Sequence, residues 1–273
     1  MKIRIISGLT AVALLLCMLF LLPDWVLAAA GAVLSALGVR EFLGATGFVK
    51  NRAILICAIA FSLTVAPWVY LGAPFSAAYG ILMAYIMLLF ALALGSRRQV
   101  TLEQLGGALL ASLFIPLAFC AVIRIRLAPG GAYLVLLPMI AAFVTDTCAY
   151  FTGRALGRTK LAPGVSPNKT WEGAVGGFLG CIAATLLFGV IMGRGLGYTV
   201  NWRFLVFAGA LGSLAAQLGD LSFSYVKREF GIKDYGNLIP GHGGILDRCD
   251  SLLFAAPVVE LVLAMAGGAL IWR

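Results

Sequence analysis

One dense polar run stands near the C-terminus of a very apolar chain, from Ser224 to Ser251. It contains the only histidine of the chain, His242, together with a close mixture of glycine, lysine, arginine and aspartate. Charged side chains beside hydrocarbon are expensive, so a polar cluster in such a chain indicates function. This mixture of residue types predicts a site that handles phosphate groups and a metal ion.

A stripe of polar residues is predicted on the helix that leads into this run. Asp220 closes an apolar segment, and Ser224, Lys227 and Arg228 follow it at offsets of four, seven and eight residues. These offsets lie on one face of a helix. The helix would therefore present a carboxylate, a hydroxyl, an ammonium and a guanidinium together. The alternative is a solvated helix end whose long side chains reach for water.

Two further carboxylates, Asp247 and Asp250, stand three residues apart at the start of the last apolar segment. Carboxylates are favourable near a helix N-terminus, so both could act as caps. Together with Asp220 they also suit Mg²⁺, which prefers oxygen ligands. The chain lacks the His and Cys spacing of a zinc site. Metal binding is the favoured role for Asp247, whereas the two roles are balanced for Asp250.

A glycine-rich turn follows Lys233 and Asp234 and contains His242, Gly243 and Gly244. Glycines lack Cβ atoms, so their backbone N–H groups can approach an anion closely. With charged residues nearby, His242 is predicted to donate a hydrogen bond to a phosphate. The alternative is a simple connector.

A second polar loop runs from Ser166 to Gly173. Serine followed by proline predicts a helix start there, with Lys169 and Thr170 in the first turn, where exposed N–H groups favour phosphate. An ordinary capped helix is the alternative. The loop is not a Walker A motif, because Asn168 occupies the position of a required glycine. Asp146 is either an intramembrane ion-pair partner or part of the site.

The composition indicates a polytopic membrane protein. The 273 residues are 62% hydrophobic and 11% charged, with a mean hydropathy of +1.03, whereas soluble domains carry about 25% charged residues. The net charge of +9 is attributed to Lys and Arg retained on the cytoplasmic side rather than to nucleic-acid binding. The six cysteines are scattered, without a C-x-x-C pair, and are predicted to be small buried side chains.

We predict an all-α fold with nine transmembrane helices. If the N-terminus is cytoplasmic, that side carries fifteen of the twenty Lys and Arg residues and the other side carries five. This bias predicts a cytoplasmic N-terminus and places both polar loops, about 152–172 and 220–251, on the cytoplasmic face. The predicted spans are 5–22, 25–39, 53–71, 75–95, 106–123, 132–151, 173–192, 204–219 and 252–272.

The polar motifs resemble a known family. Ser224-x-x-Lys-Arg228, then Lys233-Asp234, then Pro240-Gly-His-Gly-Gly-x-x-Asp-Arg-x-Asp250 is similar to the signature of phosphatidate cytidylyltransferases, also called CDP-diacylglycerol synthases. The Ser166–Gly173 loop looks like the second conserved block of that family, although Asn168 stands where many members carry lysine. The resemblance covers about residues 140–273.

The resemblance implies transfer of CMP from CTP to phosphatidate, with Mg²⁺, giving CDP-diacylglycerol and pyrophosphate. It also implies a homodimer in the cell membrane and a polar funnel open to the cytoplasm and to lipid. One or two ions could bind, including a monovalent cation such as K⁺. Asp220 and Asp247 would bind the metal and, with Lys227 and Arg228, form the catalytic set. The predicted substrate-binding residues are Ser166, Asn168, Lys169, Thr170, Ser224, Lys233, Asp234, His242, Gly243, Gly244, Arg248 and Asp250.

Three regions are predicted: N-terminal membrane helices in 1–100, middle helices with a candidate dimer region in 101–140, and a catalytic membrane domain in 141–273. Two other classes of protein stay open. A transporter could use Asp146, Asp220 and Glu260 as an ion path, and a lipid kinase could use CTP as its phosphate donor. Glu260 would either pair with an arginine of another helix or face the funnel.

Overall fold

A computed structural model describes residue 10 and residues 13–96, 100–238, 243–266 and 271–272, the last pair for backbone only. Beyond a helical stretch at 13–20, this part of the chain forms eight helices and two small antiparallel sheets. The strands are β1 (Lys160–Ala162) with β2 (Ser166–Thr170), and β3 (Thr199–Val200) with β4 (Ile271–Trp272). The helices are α1 (Asp24–Thr46), α2 (Arg52–Leu71), α3 (Phe75–Gly95), α4 (Leu102–Leu127), α5 (Gly131–Leu156), α6 (Trp171–Gly195), α7 (Trp202–Glu229) and α8 (Leu246–Met265).

Helices α1 to α7 are each long and apolar enough to cross a membrane, so within the described chain seven candidate spans are present. The predicted multi-pass, helical character agrees with these seven candidates, whereas the two small sheets depart from the all-α prediction. Seven of the eighteen residues of the first predicted span, 5–22, lie outside the described residues, and 13–20 are helical. The last predicted span corresponds largely to α8, which carries four charged residues, Asp247, Arg248, Asp250 and Glu260. The count of nine spans therefore stays a prediction.

Two of the predicted spans were too short. The segments 25–39 and 204–219 are parts of α1, with 23 residues, and α7, with 28 residues. Helix α7 continues through Asp220 to Glu229, so the polar stripe belongs to the same helix as the apolar segment before it. The charged residues had suggested an end to the span, but straight-chain lysine and arginine are good helix formers.

Local signals explain several helix ends. The Asn51 side chain accepts hydrogen bonds from the backbone N–H groups of Ala53 and Ile54 and so caps the start of α2. Gly47 and Gly72 follow the ends of α1 and α2 with φ near +60°, the left-handed conformation that glycine adopts most easily.

The chain divides into two compact units. Unit 1 comprises 1–123 and 232–248. Small residues allow close helix approach there: a Cβ on Gly38 of α1 would lie 3.1 Å from the side chain of Ile115 and 3.2 Å from that of Leu246. The buried Tyr85 hydroxyl and the Ser112 hydroxyl are 2.8 Å apart and join α3 to α4.

Unit 2 comprises 124–231 and 249–273. Its helices α5, α6 and α7 pack through glycines and hydroxyl side chains. A π-helical segment, Ile140–Val144, interrupts α5, and such segments are frequent at functional sites. Directly after it, the Thr145 hydroxyl donates to the Ser213 hydroxyl of α7 at 2.9 Å. The two units are defined by packing alone and do not test the three regions predicted from the sequence. Those regions therefore stay a prediction.

Candidate active site

The Ser166–Thr170 segment is a strand, not the start of a helix. It pairs with β1, and α6 begins only at Trp171. Thr170 is the extended N-cap residue, and its hydroxyl accepts a hydrogen bond from the Gly173 N–H at 3.1 Å. The predicted helix start at Ser166 is therefore wrong, because strand pairing overrode the local serine–proline signal. Lys169 and Thr170 precede the first helical turn instead of forming it.

This hairpin forms one wall of a cavity of about 400 Å³ in unit 2, here called the Asp220 pocket. Helix α5 contributes Asp146, α6 contributes Gly173, and α7 contributes Gln217 and Asp220. From β2 the pocket is lined by three predicted substrate-binding residues, Asn168, Lys169 and Thr170. Ser166 of the same strand is not part of the lining.

An ion pair connects the hairpin to the polar stripe of α7. The Lys169 Nζ atom lies 2.5 Å from Asp220 Oδ2, and each side chain is 27% exposed. The Ser224 hydroxyl donates to Asp220 Oδ1 at 3.4 Å, as expected for two residues one helical turn apart. Lys169, which is predicted to contact phosphate, and Asp220, which is predicted to bind metal, therefore meet in a half-buried pocket.

Two more carboxylates of unit 2 lie within electrostatic reach of Asp220. Both Asp146 and Asp250 experience repulsion from its negative charge. Asp146 also accepts a hydrogen bond from the Ser251 hydroxyl at 2.8 Å. Like charges gathered in this way favour a bound cation. Asp146, whose role the sequence left open, thus lies beside the predicted site residues.

Asp247 is buried in unit 1 at the first turn of α8. Its Oδ2 atom accepts hydrogen bonds from the backbone N–H groups of Tyr235, at 2.8 Å, and Gly244, at 3.0 Å. The glycine-rich segment therefore contacts the predicted metal ligand through its backbone. Gly243 adopts a φ of +85°, and a Cβ there would lie 3.1 Å from Asp247 Oδ2.

The remaining predicted site residues are distributed over both units. Lys227 interacts electrostatically with Asp250. The Nε atom of Arg228 donates to the carbonyl oxygen of Val165 at 3.2 Å, which joins α7 to the hairpin. Lys233, Asp234 and Arg248 belong to unit 1, and His242 lies outside the described residues.

The unexplained Glu260 is an ion-pair partner. Its carboxylate binds the Arg124 guanidinium through two contacts, of which Nη2 to Oε2 measures 2.7 Å. This bidentate geometry is the strongest form of an arginine–carboxylate pair. One of the two roles considered for Glu260, pairing with an arginine of another helix, is confirmed.

The residues fit a magnesium ion in their donor chemistry. Among the described residues no group of three or more His, Cys, Asp and Glu side chains is placed to bind a metal on its own. Magnesium, however, is usually bound by one or two carboxylates together with substrate phosphates and water. Asp220 and Asp247 carry carboxylate oxygens of the kind that Mg²⁺ prefers. Their cooperation at one ion stays a prediction.

Sequence reasoning missed Gln217 and Glu41. Gln217 lines the Asp220 pocket and donates from Nε2 to the carbonyl oxygen of Ala174 at 3.2 Å. A polar residue in an apolar segment, three before Asp220, was the available signal. The Glu41 carboxylate accepts hydrogen bonds from the backbone at the start of α8. It was overlooked because the second span was predicted to end at residue 39.

The fold and site define a multi-pass membrane protein with a cavity where carboxylates meet a lysine. Residues 2–266 match the model of the cytidylyltransferase family, and the chain belongs to that family. It is similar to proteins named phosphatidate cytidylyltransferase. The Haemophilus influenzae protein is 32% identical over 281 residues, covering 94% of this chain and 96% of that protein.

Two further relatives carry the same name. The Bacillus subtilis protein is 36% identical over 181 residues, 66% of each chain. The Brucella suis biovar 1 protein is 47% identical over 133 residues, 49% of this chain and 47% of that protein. The chain therefore spans about half the length of the Brucella relatives that it matches.

Proposed function

We propose that this protein transfers CMP from CTP to phosphatidate and releases CDP-diacylglycerol and pyrophosphate. Membership of the cytidylyltransferase family and the shared name of the relatives support the reaction type. The observation that carries the proposal is the contact between Lys169 and Asp220 in the Asp220 pocket. A site that joins two polyanions needs cations and metal-binding carboxylates side by side.

The reaction requires little proton transfer. An oxygen of the phosphatidate phosphate, largely ionised near pH 7, would attack the α-phosphorus of CTP and form a new P–O–P bond. The bond between the α- and β-phosphates would break, and its electron pair would leave with pyrophosphate. No strong general base is needed, which agrees with a pocket whose polar lining comes from Asp, Tyr, Arg, Asn, Lys, Thr and Gln side chains.

The protein's task is then to neutralise charge and to align two reactants. Lys169, which lines the pocket, would contact a phosphate there, and Lys227 and Arg228 would extend the positive charge along α7. Asp220 and Asp247 would bind Mg²⁺, which supplies charge stabilisation on the transferring and leaving oxygens when bound. A second, monovalent cation such as K⁺ is part of this proposal.

The charge bias supports a cytoplasmic N-terminus, with both polar loops on the cytoplasmic side of the cell membrane. Nine spans are proposed from the apolar segments, and a funnel open to cytoplasm and lipid is proposed on the family resemblance. The acyl chains of phosphatidate would stay in the bilayer while its head group reaches the site. A homodimer is proposed on the family resemblance.

Transfer of label tests the function. Purified protein would receive phosphatidate, Mg²⁺ and CTP labelled either on the base or on the γ-phosphate, with a parallel reaction lacking phosphatidate. Base label in the lipid extract and γ label in pyrophosphate are expected. Lipid labelled from the γ-phosphate alone would indicate a lipid kinase, and no lipid label under any metal would contradict the proposal.

A further inference from the structure

Glu41 of α1 contacts the start of α8 within unit 1, at the residue before the helix and at its first residue. Its Oε1 atom accepts a hydrogen bond from the Ile245 N–H and its Oε2 atom accepts one from the Leu246 N–H, both at 3.0 Å. The first N–H groups of a helix have no partner within that helix. Ile245 and Leu246 are buried, so Glu41 supplies acceptors that water cannot easily replace.

Two glycines enclose the Glu41 carboxylate. A Cβ atom on Gly236 would lie 2.6 Å from Oε1, and one on Gly244 would lie 2.5 Å from Oε2. Both distances are shorter than a van der Waals contact. The backbone can therefore approach the carboxylate closely only because neither position carries a side chain.

The same backbone also binds Asp247. The N–H groups of Tyr235 and Gly244 donate to Asp247 Oδ2, and the Tyr235 ring stacks on Phe42, with centroids 5.8 Å apart. Phe42 directly follows Glu41 in α1. Glu41 and Phe42, which are adjacent in α1, thus contact the two parts of the chain that surround the Asp247 carboxylate. Phe42 contacts Tyr235, and Glu41 contacts the start of α8.

We propose that Glu41 is a positioning residue that holds Asp247 in the orientation needed to bind a divalent cation. The metal role of Asp247 rests on the proposed function. Without the Glu41 carboxylate, two buried N–H groups lose their acceptors, which is costly. The first turn of α8 would then rearrange and carry Asp247 with it. Outer partners of metal ligands typically change metal affinity about 10–100-fold when they are mutated.

The test is binding of Mn²⁺, as a probe for Mg²⁺, to the purified full-length protein, measured by electron paramagnetic resonance without substrates. Glu41→Gln keeps the size of the side chain but removes its charge and one acceptor oxygen. We expect its Kd for Mn²⁺ to rise about tenfold or more. The matched variant is Glu103→Gln, an exposed residue in the first turn of α4, which should bind Mn²⁺ like the native protein.

Gly236→Ala gives a second test that does not alter a charge. In the native background the new methyl group would push the Glu41 carboxylate away from its N–H partners, so the Kd should rise severalfold. In a Glu41→Ala background that carboxylate is missing, and Gly236→Ala should have little further effect. Equal effects in both backgrounds would overturn the proposal, because the methyl group would then act independently of Glu41.

If Glu41 had a purely structural role, Glu41→Gln would lower the yield of folded protein but leave the Kd of the folded fraction for Mn²⁺ unchanged. That result would overturn the proposal. Absence of Mn²⁺ binding by the native protein would overturn it as well. Glu41-dependent Mn²⁺ binding without any CMP transfer would instead refute the proposed function and leave the positioning role supported.

Discussion

At the scale of single residues, Asp220 connects several parts of the candidate site. It pairs with Lys169, accepts from Ser224 and repels Asp146 and Asp250. We expect Asp220→Asn to lower kcat by about a hundredfold or more, the usual scale for removing one group that stabilises transition-state charge. Radiolabel transfer from CTP measures this effect.

Asp24→Asn, in the first turn of α1, is the matched control and should retain native activity. Asp247→Asn is expected to inactivate the protein as Asp220→Asn does. Native turnover by either folded variant would contradict the metal assignment of that aspartate.

Lys169 is expected to act in substrate binding. Replacing it with alanine removes a charged donor from the Asp220 pocket, and hydrogen bonds to charged groups contribute about 1.5–3 kcal/mol. The KM for CTP or for phosphatidate should therefore rise about tenfold or more. Steady-state kinetics with each substrate varied in turn would identify which one Lys169 contacts.

Lys160→Ala is a close control for that experiment. Lys160 is exposed in β1 of the same hairpin, and its backbone pairs in register with Thr170. Its loss should leave both KM values near native. If both variants behaved alike, the hairpin's general positive charge would be responsible and the specific role of Lys169 would be refuted.

At the scale of elements, the contact between α5 and α6 is sensitive to a single methyl group. A Cβ on Gly177 would lie 2.8 Å from the carbonyl oxygen of Thr145, a backbone atom that cannot move independently. We expect Gly177→Ala to lower the thermal unfolding midpoint in detergent by several degrees, since overpacking typically costs about 1–3 kcal/mol.

Gly80→Ala makes the same chemical change in α3, where a Cβ would meet nothing within 4 Å. This variant should be at least as stable as the native protein, because alanine favours the helix more than glycine does. Equal loss of stability in Gly177→Ala and Gly80→Ala would contradict the prediction, because the loss would then not depend on the α5–α6 contact.

Helices were predictable from the sequence to the extent that the relevant information is local. The offsets among Asp220, Ser224 and Lys227 follow from helical geometry, and the structure places all three on α7. The contact between Lys169 and Asp220 joins residues far apart in the chain, which no periodicity encodes. The strand at Ser166–Thr170 was missed for a similar reason, because pairing with Lys160–Ala162 outweighed the local helix signal.

At the scale of the whole molecule, the charge bias predicts which loops face the cytoplasm. From the threefold excess of Lys and Arg on one side, we expect the β1–β2 hairpin to lie inside and the segment after α6 to lie outside. Single cysteines can test this in a variant whose six native cysteines are replaced. Gly164→Cys reports on the hairpin and Thr199→Cys on the segment after α6, and both positions are exposed.

In intact cells, or in spheroplasts if an outer membrane is present, a membrane-impermeant maleimide should label Thr199→Cys and not Gly164→Cys. Both should react after the membrane is permeabilised. The reverse pattern would place the Asp220 pocket at the outer face, away from cytoplasmic CTP, and would contradict the proposed reaction even if the purified protein bound nucleotide. The labelling pattern therefore tests whether the loops rich in Lys and Arg, together with the Asp220 pocket, face the cytoplasm, where CTP is found.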